Sequence, residues 1–394
     1  MEIKYYRGDP IKKLENFISF LDLEDDYEAF ISSNSSSRYR EPVKSAYKSD
    51  GSKRRVLCPN KLTRKFQRRI NNRFFKPKII WPEFVYGSIP KLINGIEDSR
   101  DHIKCAEKHC GAKSLLKMDI SDFFDNIHKE HIKDILVNTL DLSNEVADFI
   151  CDVCCFENTL VQGALTSSYV ANLIFFDLEH LLVKRLERKG LTYTRFIDDI
   201  SVSSKASNFN FNTAKKLIED MLLQKDLPIN EQKEEVSYSS IKPLMVHGLR
   251  VEFDQPRLPA KEIAKIRAEV HALTKKAQEN NFRKSRSYRR SFDRCLGRIH
   301  KLARVKHPKH GYLKNALSDI QPLPSAVDIK HCFFIIKKLE TYPDSYREKY
   351  WYKKRFNLVV YMNGIIKRLY KDKYTEISER LKEIEPKDRK YDIG

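Results

Sequence analysis

Apolar positions recur along this chain with two periods, and the places where the period changes outline the fold. Ile11, Leu14, Phe17, Ile18 and Leu21 fall at helical intervals, which predicts helix over residues 1–30. The Ser-rich run SSNSSSRYREP (32–42) interrupts it as a loop or linker, and DGSKRRVLCP (50–59) reads as a turn leading into a short strand. NKLTRKFQRRINNRFF (60–75) opens on Asn and sets Leu62, Phe66, Ile70 and Phe74 on one face with cations on the other, an amphipathic basic helix. Residues 112–140 begin as an apolar strand and turn helical after the acids at Asp119 and Asp122. A helix around 143–156 follows, then a Gln-Gly turn and one long apolar-periodic helix ending at Gly190. YTRFIDDISVSS (193–204) has the pattern of a hairpin. It is followed by a helix over 211–227, a loop and strand, a second hairpin over 243–253, and helices from Pro259 onward. That order predicts an α+β domain, helices packed on one antiparallel sheet, with a helical region after it.

The hairpin poses a chemical question. Asp198 and Asp199 sit between two half-buried strand runs, although acids are poor strand residues and adjacent carboxylates repel unless a cation lies between them. On its own the pair is a polar turn. Asp119, however, ends another apolar strand, and pairing of the hairpin beside it would gather three carboxylates at one sheet edge. Such oxygens suit Mg²⁺, which completes its octahedron with substrate phosphates. Two ions about 3.5–4 Å apart can activate an attacking hydroxyl and stabilise a leaving pyrophosphate. Asp122 and Asp125 lie nearby, but a helix start attracts acids for dipole reasons alone, so both are left outside the candidate site.

Charge moves the reading toward a polyanion partner. The 394 residues hold 74 Lys and Arg against 54 acids, a formal net charge of +20. The cations are densest over 281–310, which carries eleven Lys or Arg and one acid, Asp293. Arg283, Arg286, Arg289, Arg290, Arg294 and Arg298 are assigned from this stretch to a nucleic-acid backbone, with Leu296, Ile299 and Leu302 as its buried stripe. In 325–394, Leu358, Val359 and Ile365 read as core, and Arg355, Lys367 and Arg368 as candidates for holding RNA. No apolar run approaches the ~18 residues of a membrane span, and the start MEIKYYRGDPIKKL lacks a secretory pattern, so a cytoplasmic location without membrane association is expected. The eight cysteines should then be reduced. Cys105, His109 and Cys110, and Cys151, Cys154 and Cys155, form no paired CxxC knuckles, and no zinc is expected.

Taken in order over about residues 46–253, these stretches resemble the reverse transcriptases, and within them the bacterial retron-type enzymes and their defence-associated relatives. GSKRRVL resembles the first block, which implies that Arg55 meets the incoming triphosphate. LLKMDISDFF resembles the block that makes Asp119 a metal ligand beside the Ile120 carbonyl and Phe124 the steric gate. VQGALTSSYVANL implies Gln162 and Gly163 in the nucleotide pocket. FIDD stands for the family's YxDD, with Phe196 in place of Tyr and Asp198 and Asp199 as ligands. NEQK puts Lys233 at the position of a proton donor to pyrophosphate, and VHGL (246–249) puts Gly248 in the primer grip. The chain departs from the retron-type pattern in CAEKH (105–109), where Cys105 replaces Asn, and in Val246-His247-Gly248, where His247 replaces Thr. The loop between Gly87 and Lys104 also looks longer than usual. These departures leave the bacterial subgroup open.

The resemblance implies a right-hand polymerase: an N-terminal helical extension and linker (1–45), fingers (46–118), an antiparallel-sheet palm (119–253), a helical basic thumb (254–324) and a helical extension (325–394). It implies RNA-directed DNA synthesis from dNTPs with two Mg²⁺, on a structured non-coding RNA that serves as template and primer, giving an RNA–DNA duplex. A retron enzyme would make msDNA within an anti-phage system. No nuclease or RNase H motif is visible, so a separate effector protein and a host RNase H are expected. The alternatives are a non-retron, protein-primed defence enzyme, another two-metal palm enzyme, and a non-catalytic RNA-binding scaffold. A cyclase would show a Gly-Gly-acid-acid-Phe hairpin, an RNA polymerase would not keep a bulky aromatic gate, and a decayed scaffold has no use for three clustered acids.

Overall fold

The computed structural model describes residues 4–388 apart from 44, 48–50, 91 and 94–95. Asp50, where the predicted turn opens, and part of the Gly87–Lys104 loop therefore lie outside the described residues. The chain divides into two compact units, one ending at Arg257 and one beginning at Leu258.

The first unit is built on a five-stranded sheet. Its strands are β1 (Val85–Tyr86), β2 (Ser114–Asp119), β3 (Leu191–Phe196), β4 (Asp199–Ser204) and β5 (Glu235–Tyr238), in the order β5-β2-β4-β3-β1. All neighbours are antiparallel except the edge pair β1–β3, which is parallel. Two-residue alternation divides the sheet cleanly. Leu116, Met118, Ile200, Val202 and Tyr193 enter the main apolar core, whereas Leu115, Lys117 and Asp119 alternate with the core residues of β2 and so project from its opposite face.

Helices cover the core face. Their ends follow sequence signals: Asn60 caps α3 (Lys61–Arg69) through its side chain, and Ser143 caps the helix Asn144–Cys154. Before α3 come α1 (Leu14–Leu21) and α2 (Glu24–Ile31). Phe17, Leu21 and Phe30 pack with Phe66, Phe74 and Phe149, so this N-terminal segment shares the core of the sheet domain. Residues 4–10 are not helical as expected: Tyr6 bridges to Ile79 in extended form and Tyr5 accepts from the Ile80 amide. The other sheet face is covered in part by α4 (His102–Lys108). His109, just past it, is buried between Ser203 Oγ (2.7 Å) and Thr194 Oγ1 (2.8 Å), and burial pushes its imidazole down to about 3. It is a neutral cross-strand tie, with neither nitrogen left for a metal. Cys151, Cys154 and Cys155 lie buried at the end of α5 (Asn144–Cys154).

The helix expected to run without interruption to Gly190 is two helices, α6 (Ser167–Leu173) and α7 (Glu179–Glu187), separated by a turn that buries Phe175 and Phe176. After the hairpin, α8 (Asn212–Leu223) leads to β5, and a small hairpin of β6 (Met245–Val246) and β7 (Leu249–Arg250) closes the unit.

The second unit is helical: α9 (Ala260–Ala277), α10 (Arg286–Arg304), α11 (His310–Ser318), α12 (Ala326–Glu340), α13 (Tyr350–Ile366) and α14 (Lys371–Glu383). A capping box of Ser325 and Asp328 starts α12. Cys332, Ile336, Tyr352, Phe356, Val359 and Ile377 form a core of their own. Leu358, expected in it, faces solvent instead; Val359 and Ile365 are buried. Among the described residues no helix is long and apolar enough to cross a membrane.

Candidate active site

The register of the sheet brings the three predicted aspartates together. Asp199 is the direct cross-strand partner of Asp119 and also faces Phe196, which closes β3 and β4 into a two-residue turn of Ile197 and Asp198. Directly opposed residues hold their Cβ atoms about 5 Å apart, and opposed like charges destabilise a sheet. The turn adds to this cost. Ile197 takes φ +60°, a left-handed conformation that costs a β-branched residue roughly 1–3 kcal/mol. Its neighbour Asp198 accepts from the Ile120 amide (3.2 Å), which fastens the turn to the end of β2.

Each carboxylate has a different environment. Asp119 is 5% exposed and accepts from Lys233 Nζ (2.8 Å) and Asn230 Nδ2 (3.1 Å), while its carbonyl accepts from the Asn230 amide (2.8 Å). Hydrogen bonding to Asp119 in turn raises the Lys233 ammonium pKa. Burial and the neighbouring Asp119 raise the pKa of Asp198. Asp199 is pushed up to about 7 by desolvation and by the charges of Asp198 and Asp119. Two carboxylates that resist ionising beside a third show that Lys233 alone does not balance the cluster.

The cluster opens into a cleft of about 960 Å³, lined among others by Arg54, Ile120, Phe124, Gln162, Asn230 and Lys233. Phe124 is half-buried against the core and turned to the cleft edge. Gln162 reaches the wall, but Gly163 does not. At φ +108° a Cβ on Gly163 would stand 2.5 Å from the Leu57 carbonyl oxygen, so this glycine lets the 51–57 segment approach; the Leu57 amide then donates to the Gln162 carbonyl (2.9 Å). Arg55 lies outside the main cleft, in a smaller crevice that shares Gln162, and pairs with the exposed Glu157. Its neighbour Arg54 is the arginine on the cleft wall. A second cavity of about 530 Å³ joins Asp119, Asp199 and Lys233 to His247 and Gly248 of the β6–β7 hairpin. His247 and Gly248 both have positive φ there, the pattern of a tight two-residue turn.

Arg54 and Asn230 were missed in the sequence. For Asn230 the available signal was its place three residues before Lys233 in the same short loop. Asp122 and Asp125, set aside as dipole-favoured acids, also line the cleft.

The predicted thumb arginines separate into two groups. Arg286, Arg290 and Arg294 are exposed. Arg289 makes a two-pronged pair with Asp328, Arg283 donates twice to the Gln321 carbonyl, and Arg298 pairs with Glu269.

Among the described residues, no three acidic, histidine or cysteine side chains already stand at metal-binding spacing. The donor set nevertheless fits a hard divalent ion: carboxylate oxygens with raised proton affinity, a nearby backbone carbonyl at Ile120, and a solvent-exposed ammonium occupying Asp119.

The reverse transcriptase (RNA-dependent DNA polymerase) family model matches residues 46–253. The Retron Ec48 reverse transcriptase of Escherichia coli is 42% identical over 349 residues, covering 87% of this chain and 86% of that protein. The chain belongs to the retron-type reverse transcriptases. This reverse transcriptase is also 29% identical to the Retron Se72 reverse transcriptase of Salmonella heidelberg (strain 579083-10), over 81% of its own length and 82% of the relative's. Among solved structures, a telomerase from Candida albicans in complex with a fragment of telomeric RNA aligns over 93% of this chain and 71% of that one, at 12% identity and a TM-score of 0.38. The enzyme is an RNA-directed DNA polymerase. Its family works with divalent metal ions on an RNA template.

Proposed function

We propose that the cleft extends a primer hydroxyl with dNTPs, using Asp119, Asp198 and Asp199 to hold two Mg²⁺, with the Ile120 carbonyl as a further ligand. The observation that carries this reading is the direct pairing of Asp199 with Asp119 at the mouth of a cleft that Gln162 and Phe124 also line. Bound Mg²⁺ would lower the pKa of the attacking hydroxyl and offset charge on the pyrophosphate. Arg54, on the cleft wall, meets the triphosphate, and Arg55 joins it from the adjoining crevice once it leaves Glu157; Gln162 supports the nucleotide, and Phe124 packs where a ribose 2′-hydroxyl would have to fit. Gly163 contributes indirectly, by holding the 51–57 segment against Gln162. Lys233, released from its bond to Asp119, gives a proton to the departing pyrophosphate. Gly248 and its hairpin support the primer end. Exposed arginines of α10 bind nucleic-acid backbone.

The template and primer are one structured non-coding RNA, primed at an internal 2′-hydroxyl, and the product is msDNA, an RNA–DNA molecule that serves anti-phage defence with a separate effector protein and a host RNase H. Purification from cells carrying the native locus, followed by DNase, RNase and debranching-enzyme treatment of bound nucleic acid, tests this. A discrete DNA joined to RNA by a 2′–5′ linkage is expected. DNA that stays with the protein through phenol would replace this reading with protein priming, and RNA alone despite added dNTPs and Mg²⁺ would replace it with a binding scaffold. Asp198→Ala should abolish extension and leave RNA binding intact.

A further inference from the structure

The turn that carries Asp198 is held from behind by a side chain that no part of the chemistry above uses. Arg195, one residue before Phe196 in β3, is fully buried, and so is its partner Glu179, at 0% and 1% exposure. The guanidinium donates through Nε and Nη2 to the two oxygens of Glu179 (2.6 and 2.8 Å). Nη2 also reaches the Asn172 carbonyl (3.0 Å), and Nη1 reaches the Ile197 carbonyl (3.1 Å) and, more weakly, Asn172 Oδ1 (3.4 Å). Tyr193 donates to Glu179, and Asn172 Nδ2 donates to the Gly87 carbonyl (2.8 Å).

These contacts explain why the helix after Gln162 is broken. Asn172 belongs to α6 and Glu179 opens α7, so the interruption presents a carbonyl from one helix and a carboxylate from the next to the same guanidinium. The remaining guanidinium nitrogen is directed at the carbonyl of Ile197, the strained residue of the catalytic turn. Gly87, whose carbonyl accepts from Asn172, also lies close against the turn. A Cβ there would stand 3.0 Å from the Phe196 ring and 3.1 Å from Ile197 Cγ1. A left-handed β-branched residue persists only where its surroundings over-determine it. A buried ion pair is also a poor means of stabilising a core, since well-packed apolar residues commonly do as well. Stability alone therefore gives no reason for an ion pair at this position.

We propose that Arg195 is a positioning residue for polymerisation: its guanidinium fixes the backbone of the Ile197–Asp198 turn from the α6–α7 break and thereby aims Asp198 and Asp199 at Asp119. This rests on the reading of those aspartates as metal ligands. Arg195 touches no substrate, so it acts only through the turn.

Two variants test it in the full-length enzyme on its RNA. R195M/E179M/Y193F removes the ion pair and the tyrosine bonded to it together and leaves no lone charge behind. R195K keeps the charge against Glu179, but one compact ammonium nitrogen cannot reach the separate positions that the three guanidinium nitrogens span. In whichever variant melts cooperatively, kcat should fall by about tenfold or more and half-saturating Mg²⁺ should rise several-fold, while KM for dNTP and RNA affinity stay within about twofold. A folded variant with parental kcat and Mg²⁺ dependence overturns the proposal. So does a loss confined to KM or RNA affinity, or failure of both variants to fold, either of which assigns Arg195 to structure alone. Asp198→Ala, run beside them, separates the two readings. If it stays active, the metal assignment has failed; if it is dead while the Arg195 variants are normal, only the positioning role has.

Discussion

Asp119 is met in the cleft already engaged, with Lys233 where a cation would be wanted, while Asp199 holds its proton to about 7. An unfolded Asp titrates near 3.9, so the metal-free fold takes up a proton between about pH 4 and pH 7. The resulting stabilisation is complete below the unfolded pKa and is lost as pH rises through about 7. Binding of Mg²⁺ requires the ionised carboxylates and so releases protons. The increase in melting temperature on adding Mg²⁺ should therefore be larger at about pH 8 than at about pH 6, and Asp199→Asn should flatten that difference. An equal Mg²⁺ shift at both values would remove Asp199 from the ligand set. At Gly163, an alanine must both adopt φ +108° and displace the Leu57 backbone, so Gly163→Ala should lower stability by roughly 1–3 kcal/mol and raise KM for dNTP, as denaturant melts and steady-state kinetics would record. Residues of this kind differ in how far sequence exposes them. Two adjacent acids inside a strand pattern stand out because they violate the pattern. Asn230 does not, since its bond to Asp119 spans 111 positions, and an extended stretch such as 51–57 has no period to decide between Arg54 and Arg55.

At the scale of elements, α10 shows how composition and contact diverge. Arg286, Arg290 and Arg294 repeat every fourth residue, so they form one exposed stripe, while Arg289 and Arg298 are spent on Asp328 and Glu269. R286Q/R290Q/R294Q should weaken RNA binding and flatten its log–log salt dependence by about two to three, measured by filter binding across a salt series, with little change in melting. Arg289→Gln should do the reverse, lowering melting temperature and leaving the salt slope alone. Binding unchanged in the triple variant would move the RNA contact elsewhere. Helix identity and cap were legible together at Asn60, where a short polar side chain precedes apolar periodicity, whereas the caps at Ser143 and Ser325 came only from the structure. The break between α6 and α7 was not. Phe175 and Phe176 continue the apolar pattern through it, and its cause, Arg195, is two elements further along the chain. Residues 4–10 failed for the opposite reason: Tyr6 finds its partner at Ile79, a pairing that local periodicity cannot contain.

Among the described residues, one apolar core reaches from Tyr5 to Leu227 within the first unit and another from Cys332 to Ile384 within the second. Calorimetry should therefore depart from a single two-state transition, and Mg²⁺ should raise only the component belonging to residues 1–257. One cooperative transition shifted in full by Mg²⁺ would show the units to be thermodynamically inseparable. The α+β sheet and the all-helical remainder were both visible in the order of periods, because each period holds over a whole element. The strand pair that sets Asp199 against Asp119 also runs the other way, to Ser204 opposite Ser114. Five residue steps at about 3.3 Å put that end some 17 Å along the sheet from the carboxylates. Beyond it Ser207 and Asn208 form an exposed turn whose flanks are tied down by Ser114. The enzyme thus offers a site for instrumentation: a short tag or fluorophore inserted between those two residues should leave primer extension at the parental rate while reporting on the same sheet that does the chemistry.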